Sequence, residues 1–221
     1  MAQVNTEVLE QSELEAILNQ VNTRTPSGAR NFALLQLMAQ TAIRCGEALQ
    51  VTAADIRQEE WGTNGDRVKM TVLRLPRRAT KGKQERQGIP LTAATRQALE
   101  VWQQQRAALG LKGGPLFCTI SEGKRAANFA GGDGELTPGK ALDGRYVRDL
   151  VKRLALKAGI SRRVHPHMLR HTALTALYDT TKDLLLVQTV AGHTTSRMTE
   201  RYTHVHPLAV AEAMGALEEP A

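Results

Sequence analysis

Apolar positions recur at helical spacing from the start of the chain. Leu14, Ile17, Leu18 and Val21 share one face behind Ser12 and Glu15, whose spacing is that of a capping box. Residues 22 to 28, with Pro26, predict a loop, and a second helix is predicted from about Ala29 toward Ile43, with Phe32, Leu35, Met38 and Ala39 inward. Gly46 interrupts it, and Glu47 to Val51 add a turn or two. At Arg67 the period changes to two. Val68, Met70 and Val72 alternate with Lys69, Thr71 and Leu73, and Leu75 closes a strand before Pro76. Thr80-Lys81-Gly82-Lys83 is a polar turn, and Gln87 to Leu91 fit a returning strand. Thr92 to Leu109 is a helix closed by Gly110, followed by a long glycine-rich loop over 112–140 with a short strand at Leu116 to Thr119. Asp143 caps a helix with Val147, Leu150, Val151 and Leu154 inward, stopped by Gly159. Pro166 opens a helix to about Tyr178, Asp183 caps another that Gly192 ends, Ser196 to Tyr202 form a short one, and Pro207 opens the last. The pattern predicts an α+β domain, mostly helical, with a small antiparallel sheet.

Composition narrows the function classes. With 42% apolar and 23% charged residues, the 221-residue chain can fill a core, and 4% aromatics argue against a barrel or sandwich built on aromatic pairs. No apolar run is long enough to span a bilayer and no export signal opens the chain, which predicts a soluble cytoplasmic protein without a membrane partner. Cys45 and Cys118 are too few for a disulfide frame or a thiolate metal site. The net charge is +7, and it is concentrated: between Asp66 and Arg86, eight cations face only Asp66 and Glu85. These cations are Arg67, Lys69, Arg74, Arg77, Arg78, Lys81, Lys83 and Arg86. Such a hairpin suits a phosphate backbone, although a solvated basic face has the same composition.

All six histidines (165, 167, 171, 193, 204 and 206) fall in the last third. His165, His167 and His171 could supply metal ligands, but no His-Glu-x-x-His spacing is present and Pro166 disturbs the set. His167 and Arg170, three apart in the first turns after Pro166, instead suit an anion: a helix start favours negative charge, and a guanidinium can hold two phosphate oxygens. A pair that only caps and packs locally would have the same spacing.

Several boxes together resemble the tyrosine site-specific recombinases, the phage integrase family. They are Thr41-Ala-Ile-Arg44-Cys-Gly-Glu47, Thr80-Lys81-Gly-Lys-Gln-Glu-Arg86 leading to Ile89-Pro-Leu91, His165-Pro-His-Met-Leu-Arg-His171, Val190-Ala-Gly-His193, and Tyr202 nine residues after His193. They stand in family order. The resemblance implies that Arg44 and Arg170 clamp the non-bridging oxygens of a scissile DNA phosphate while His167 and His193 hydrogen-bond them. Lys81, with Lys83 as its rival, is the implied general acid, Tyr202 the nucleophile, and Glu47 a residue that orients the site. Arg74, Arg77, Arg78, Lys83 and Arg86 are the expected DNA contacts. The resemblance further implies no metal or other cofactor, double-stranded DNA with paired half-sites as partner, and a homo-tetramer in which the helix after Pro207 docks into a neighbouring protomer.

Three positions depart from the family pattern: Ala42 and Thr80 stand where it has glycine, and Ala191 where it has leucine. None removes a reacting group. Arg44 lies too near the first residue for a separate core-binding domain, so 1–221 is expected to be a catalytic domain alone, naturally minimal or excised. The expected function is site-specific recombination through a 3′-phosphotyrosyl intermediate, whether integration, excision, inversion or resolution. A catalytically idle DNA-binding or regulatory protein and a DNA-relaxing type IB topoisomerase are the alternatives.

Overall fold

The computed structural model describes residues 8–61, 67–75, 77, 79–80, 88–120, 123–124, 135–136 and 138–192 of the chain. They divide into two compact units, Met1–Ala173 and Leu174–Ala221.

The first unit opens with α1 (Gln11–Asn19), one residue before the Ser12 expected to cap it. The Glu13 carboxylate folds back onto the Glu10 N–H at 2.9 Å, so the capping box lies two residues earlier than Ser12 and Glu15. Arg162 decides this from 149 residues away, donating to Glu13 Oε2 at 2.5 Å. Helix α2 (Pro26–Thr41) also begins earlier than the apolar spacing suggests. Pro26 is its first residue, and the Thr25 hydroxyl accepts from the Gly28 N–H at 3.2 Å. The helix is buried on most sides, including Ala33, Leu34 and Leu37 beside the expected Leu35 and Met38, because it runs through the centre of the core.

A short helix, α3 (Cys45–Ala48), and a 3-10 turn at Ala53–Asp55 lead into β1 (Ile56–Trp61). This strand has no counterpart among the predicted elements. Its apolar residues stand only at its ends, with Arg57, Gln58, Glu59 and Glu60 between them, so no period of two is present. Pairing with β2 (Val68–Leu73) makes it a strand, in antiparallel register from Ile56 opposite Leu73 to Trp61 opposite Val68. A two-residue β3 (Ile89–Pro90) completes a sheet of order β1-β2-β3.

Helix α4 (Ala93–Ala108), capped by Thr92, packs along α2 and buries Trp102, whose indole N–H donates to the Leu116 carbonyl at 2.9 Å. In place of the expected strand over 116–119, Cys118 makes an isolated bridge with Ala141. A small pair, β4 (Gly123–Lys124) and β5 (Glu135–Leu136), lies within the glycine-rich stretch. Helix α5 (Gly144–Lys157) begins at its Asp143 cap and buries Val147, Leu150, Val151 and Leu154. Arg30 ties α2 to α5 and to the 118 segment, donating to the Cys118 carbonyl at 2.8 Å and to the Tyr146 hydroxyl at 2.6 Å.

Helix α6 (Pro166–Thr181) starts at the predicted proline, and the division between the units falls within it. In the second unit, Asp183 caps α7 (Leu184–Ala191), and Gly192 ends it in the left-handed conformation at φ 60°. The predicted helices over 196–202 and from 207 lie outside the described residues. The described architecture is the expected one, α+β and mostly helical with a small antiparallel sheet. No described helix is long and apolar enough to cross a membrane.

Candidate active site

The first arginine box lies where α2 hands over to α3. Helix α2 ends at Thr41, and Ala42 turns the chain in the left-handed conformation at φ 53°. Arg44 follows in extended conformation as the N-cap of α3. Its N–H donates to Glu47 Oε2 at 2.7 Å and its guanidinium to Glu47 Oε1 at 2.9 Å. Glu47 thus caps the helix and fixes the arginine with one carboxylate, itself only 3% exposed, while the Arg44 side chain keeps 30% of its surface open.

Arg170 reaches the same turn from the other end of the sequence. It lies in the second turn of α6, 2% exposed, and its guanidinium donates to the Ala42 carbonyl. Two guanidinium-bearing segments 126 residues apart therefore meet at one turn. On the same helix, His167 is exposed and His171 buried, and their rings meet edge to face with centroids 4.3 Å apart. His165 stacks at 6.5 Å from His167. Among the described residues no three His, Cys, Asp or Glu side chains are grouped as a metal site.

Thr172, next in line on α6, accepts the Leu9 N–H at 2.9 Å, and Arg162 donates to the Val8 carbonyl at 2.9 Å. The stretch before α1 is thereby strapped to the helix that carries Arg170. No local signal announces these bonds, whose partners are 163 and 154 residues apart. Beside Arg44, burial pushes the Cys45 thiol up to about 11, so this sulfur stays protonated and is no rival nucleophile at neutral pH.

The left-handed turn explains why the family pattern has glycine where this chain has Ala42. An L-residue with a Cβ pays about 1–2 kcal/mol there, against roughly 0.5–1 kcal/mol of extra chain entropy for glycine. Against that strain stands the Ala42 methyl, 1% exposed, whose burial is worth about 0.8 kcal/mol. The terms nearly cancel, so Ala42→Gly, which keeps the carbonyl that Arg170 uses, is expected to move the urea midpoint little at unchanged slope. A large loss would show that the turn carries less strain than its φ implies.

Of the expected DNA contacts, Arg74 lies on Glu59, with Nε to Oε1 at 2.5 Å and Nη2 to Oε2 at 3.0 Å. Arg77 is exposed, and its carbonyl accepts from the Thr80 hydroxyl at 3.3 Å. Lys81, Lys83, Arg78, Arg86, His193 and Tyr202 lie outside the described residues. The structure brings Arg44, Glu47 and the Arg170 guanidinium together at the Ala42 turn, with His167 and His171 on the helix that carries Arg170. Glu59 and Trp61, on the strand absent from the sequence pattern, join the Arg74 side chain in a network that spacing did not indicate.

The profile of the phage integrase family matches residues 7–208. The chain belongs to that family. It is similar to the tyrosine recombinase XerC of Bifidobacterium longum (strain DJO10A), at 34% identity over 186 residues, covering 82% of this chain and 45% of that protein. XerC of Bacillus subtilis (strain 168) is 32% identical over 198 residues, covering 89% of this chain and 56% of that one. The chain spans about half the length of these curated relatives. Among solved structures, the XerH site-specific recombinase bound to its difH substrate before cleavage superposes with a TM-score of 0.73 at 28% identity, over 99% of this chain and 56% of that one. The catalytic domain of bacteriophage HP1 integrase, at 19% identity and a TM-score of 0.54, shares the fold over 97% of this chain and 98% of its own.

Proposed function

We propose that this chain is the catalytic portion of a site-specific DNA recombinase, acting in the cytoplasm, that cuts and rejoins duplex DNA through a 3′-phosphotyrosyl intermediate. The observation that carries this reading is the meeting of the Arg44 and Arg170 segments at the Ala42 turn. A phosphate held there has its non-bridging oxygens facing two guanidinium groups, which stabilise the charge of a pentacoordinate transition state. His167 and His193 hydrogen-bond the same oxygens. The Tyr202 oxygen attacks phosphorus as His167 or His193 takes the hydroxyl proton, the bond to the 5′-oxygen breaks, and Lys81 gives that oxygen its proton. A 5′-hydroxyl from the partner duplex then attacks the phosphotyrosine, which rejoins the strand and restores Tyr202.

Exchange between two sites needs four active centres, so the working form is a homo-tetramer on paired half-sites. The apolar positions Leu208, Val210, Ala211, Met214 and Leu217 suit a terminal helix seated in a neighbouring protomer. Basic residues of the hairpin, Arg77, Arg78, Lys83 and Arg86, hold the backbone beside the site.

The test begins with duplexes that the protein selects from a randomised library. Two such duplexes with different labels are mixed with the protein in excess EDTA. Hybrid strands are the expected product, because arginine and lysine supply the positive charge that a metal provides in many nucleases. Relaxation of a supercoiled plasmid without hybrid strands would favour the topoisomerase, and binding without cleavage the idle binder. Activity lost in EDTA and restored by Zn²⁺ or Mg²⁺ would return the histidines to the metal reading.

A further inference from the structure

Lys81 lies seven residues beyond Arg74 and seven before Gly88, so these two residues are the roots of the segment that carries it. The outgoing root is held twice. The Arg74 N–H donates to the Asp55 carbonyl at 2.8 Å, and its guanidinium forks onto Glu59 at 2.5 and 3.0 Å. At the returning root, Gly88 lies against the Trp61 indole. A Cβ there would meet Trp61 Cζ2 at 3.2 Å and Val72 Cγ2 at 3.3 Å, and would press the indole back by a few tenths of an ångström. The indole N–H donates to Glu59 Oε2 at 2.9 Å.

One carboxylate therefore joins both roots: through Arg74 to the end of β2, and through Trp61 to the start of β3. Glu59 and Trp61 are two apart on β1 and so share a face of the sheet. With side chains 34% and 17% exposed, the Arg74–Glu59 pair is sheltered enough to hold its geometry and open enough to reform after strain. The hydrogen bonds from Arg74 and Trp61 keep the Glu59 carboxyl below its ordinary range, so it stays ionised at neutral pH. Beyond the outgoing root, Ala79 and Thr80 are buried, and the Thr80 hydroxyl donates to the Arg77 carbonyl at 3.3 Å, which anchors the chain up to the residue before Lys81.

We propose that Glu59, Arg74 and Trp61 are positioning residues for Lys81, a brace across the hairpin roots that sets where its ammonium meets the departing 5′-oxygen. The proposal rests on the reading of Lys81 as general acid. It gives Arg74 a role different from the DNA contact expected of a hairpin cation, and it gives the polar face of β1 a purpose.

The experiment compares a selected, nicked duplex with an oxygen at the 5′-bridging position and the same duplex with sulfur there, whose thiolate departs without a proton. With oxygen, Glu59→Ala is expected to slow cleavage on the order of tenfold, a fraction of the full general-acid contribution, with binding unchanged. With sulfur, Glu59→Ala and Lys81→Ala should both return to within a few fold of the unmodified protein. Glu59→Gln, which keeps an acceptor for Trp61, should give a smaller version of the same pattern. If sulfur rescues Lys81→Ala while Glu59→Ala is either not slowed or stays slow, the brace is overturned and the lysine reading stands. If sulfur fails to rescue Lys81→Ala, the lysine reading falls and takes the brace with it.

Discussion

Replacing Arg170 with alanine is expected to slow DNA cleavage on the order of 10²–10³-fold, as the loss of one oxyanion donor does elsewhere. The same change should destabilise the protein, because the side chain is 2% exposed and its removal leaves the Ala42 carbonyl without that donor. A rate loss that came only from unfolding would prove nothing about catalysis, so Arg44 is the sharper control. Its side chain is 30% exposed and leaves little void when removed. Arg44→Ala does take the guanidinium away from the buried Glu47 carboxylate, which costs stability in its own right. The double change Arg44→Ala with Glu47→Gln removes the charge that the guanidinium balanced. It should recover most of the thermal midpoint while leaving single-turnover cleavage as slow as in Arg44→Ala. Were cleavage to recover together with the midpoint, the Arg44–Glu47 pair would be a structural bridge and the phosphate clamp would lose one of its arms.

Much of this site was legible because its parts are local. Arg44 and Glu47 are three apart, and that spacing alone places a carboxylate beside a guanidinium. Pro166, Asp183 and Gly192 mark helix ends by their own backbone chemistry, and α6 and α7 begin or end there. What stayed hidden depends on partners far away in sequence. The acceptor for Arg170 is 128 residues distant, the start of α1 answers to Arg162, and β1 is a strand only because β2 pairs with it. Ala42 shows the middle case. The sequence marks it as a departure from glycine, and the left-handed φ supplies the reason that glycine is favoured there. The reading of Lys81, His193 and Tyr202 rests on their order and spacing, and they lie outside the described residues.

Tyr202→Phe is expected to abolish covalent attachment to DNA entirely while leaving binding near that of the unmodified protein. The change removes one oxygen atom and keeps the ring, so packing is disturbed little, yet no other group at that position can carry the phosphoryl bond. The chain has only three tyrosines, which makes the assignment decidable. Tyr146 is committed elsewhere: its hydroxyl accepts from Arg30 at 2.6 Å and from the Asn31 amide at 3.0 Å within the join of α2 and α5. Tyr178 lies between the His165–His171 box and the Val190–His193 box, with the Lys182 ammonium 5.4 Å from its ring centroid. Tyr202 alone stands nine residues beyond His193, at the family spacing. On a nicked duplex whose cleaved end diffuses away, the unmodified protein, Tyr146→Phe and Tyr178→Phe should each accumulate an SDS-resistant protein–DNA band. Tyr146→Phe removes part-buried hydrogen bonds at the join of α2 and α5, so bands are compared per folded protein. A covalent band that survives Tyr202→Phe and disappears in Tyr178→Phe would move the nucleophile to α6 and undo the proposed mechanism.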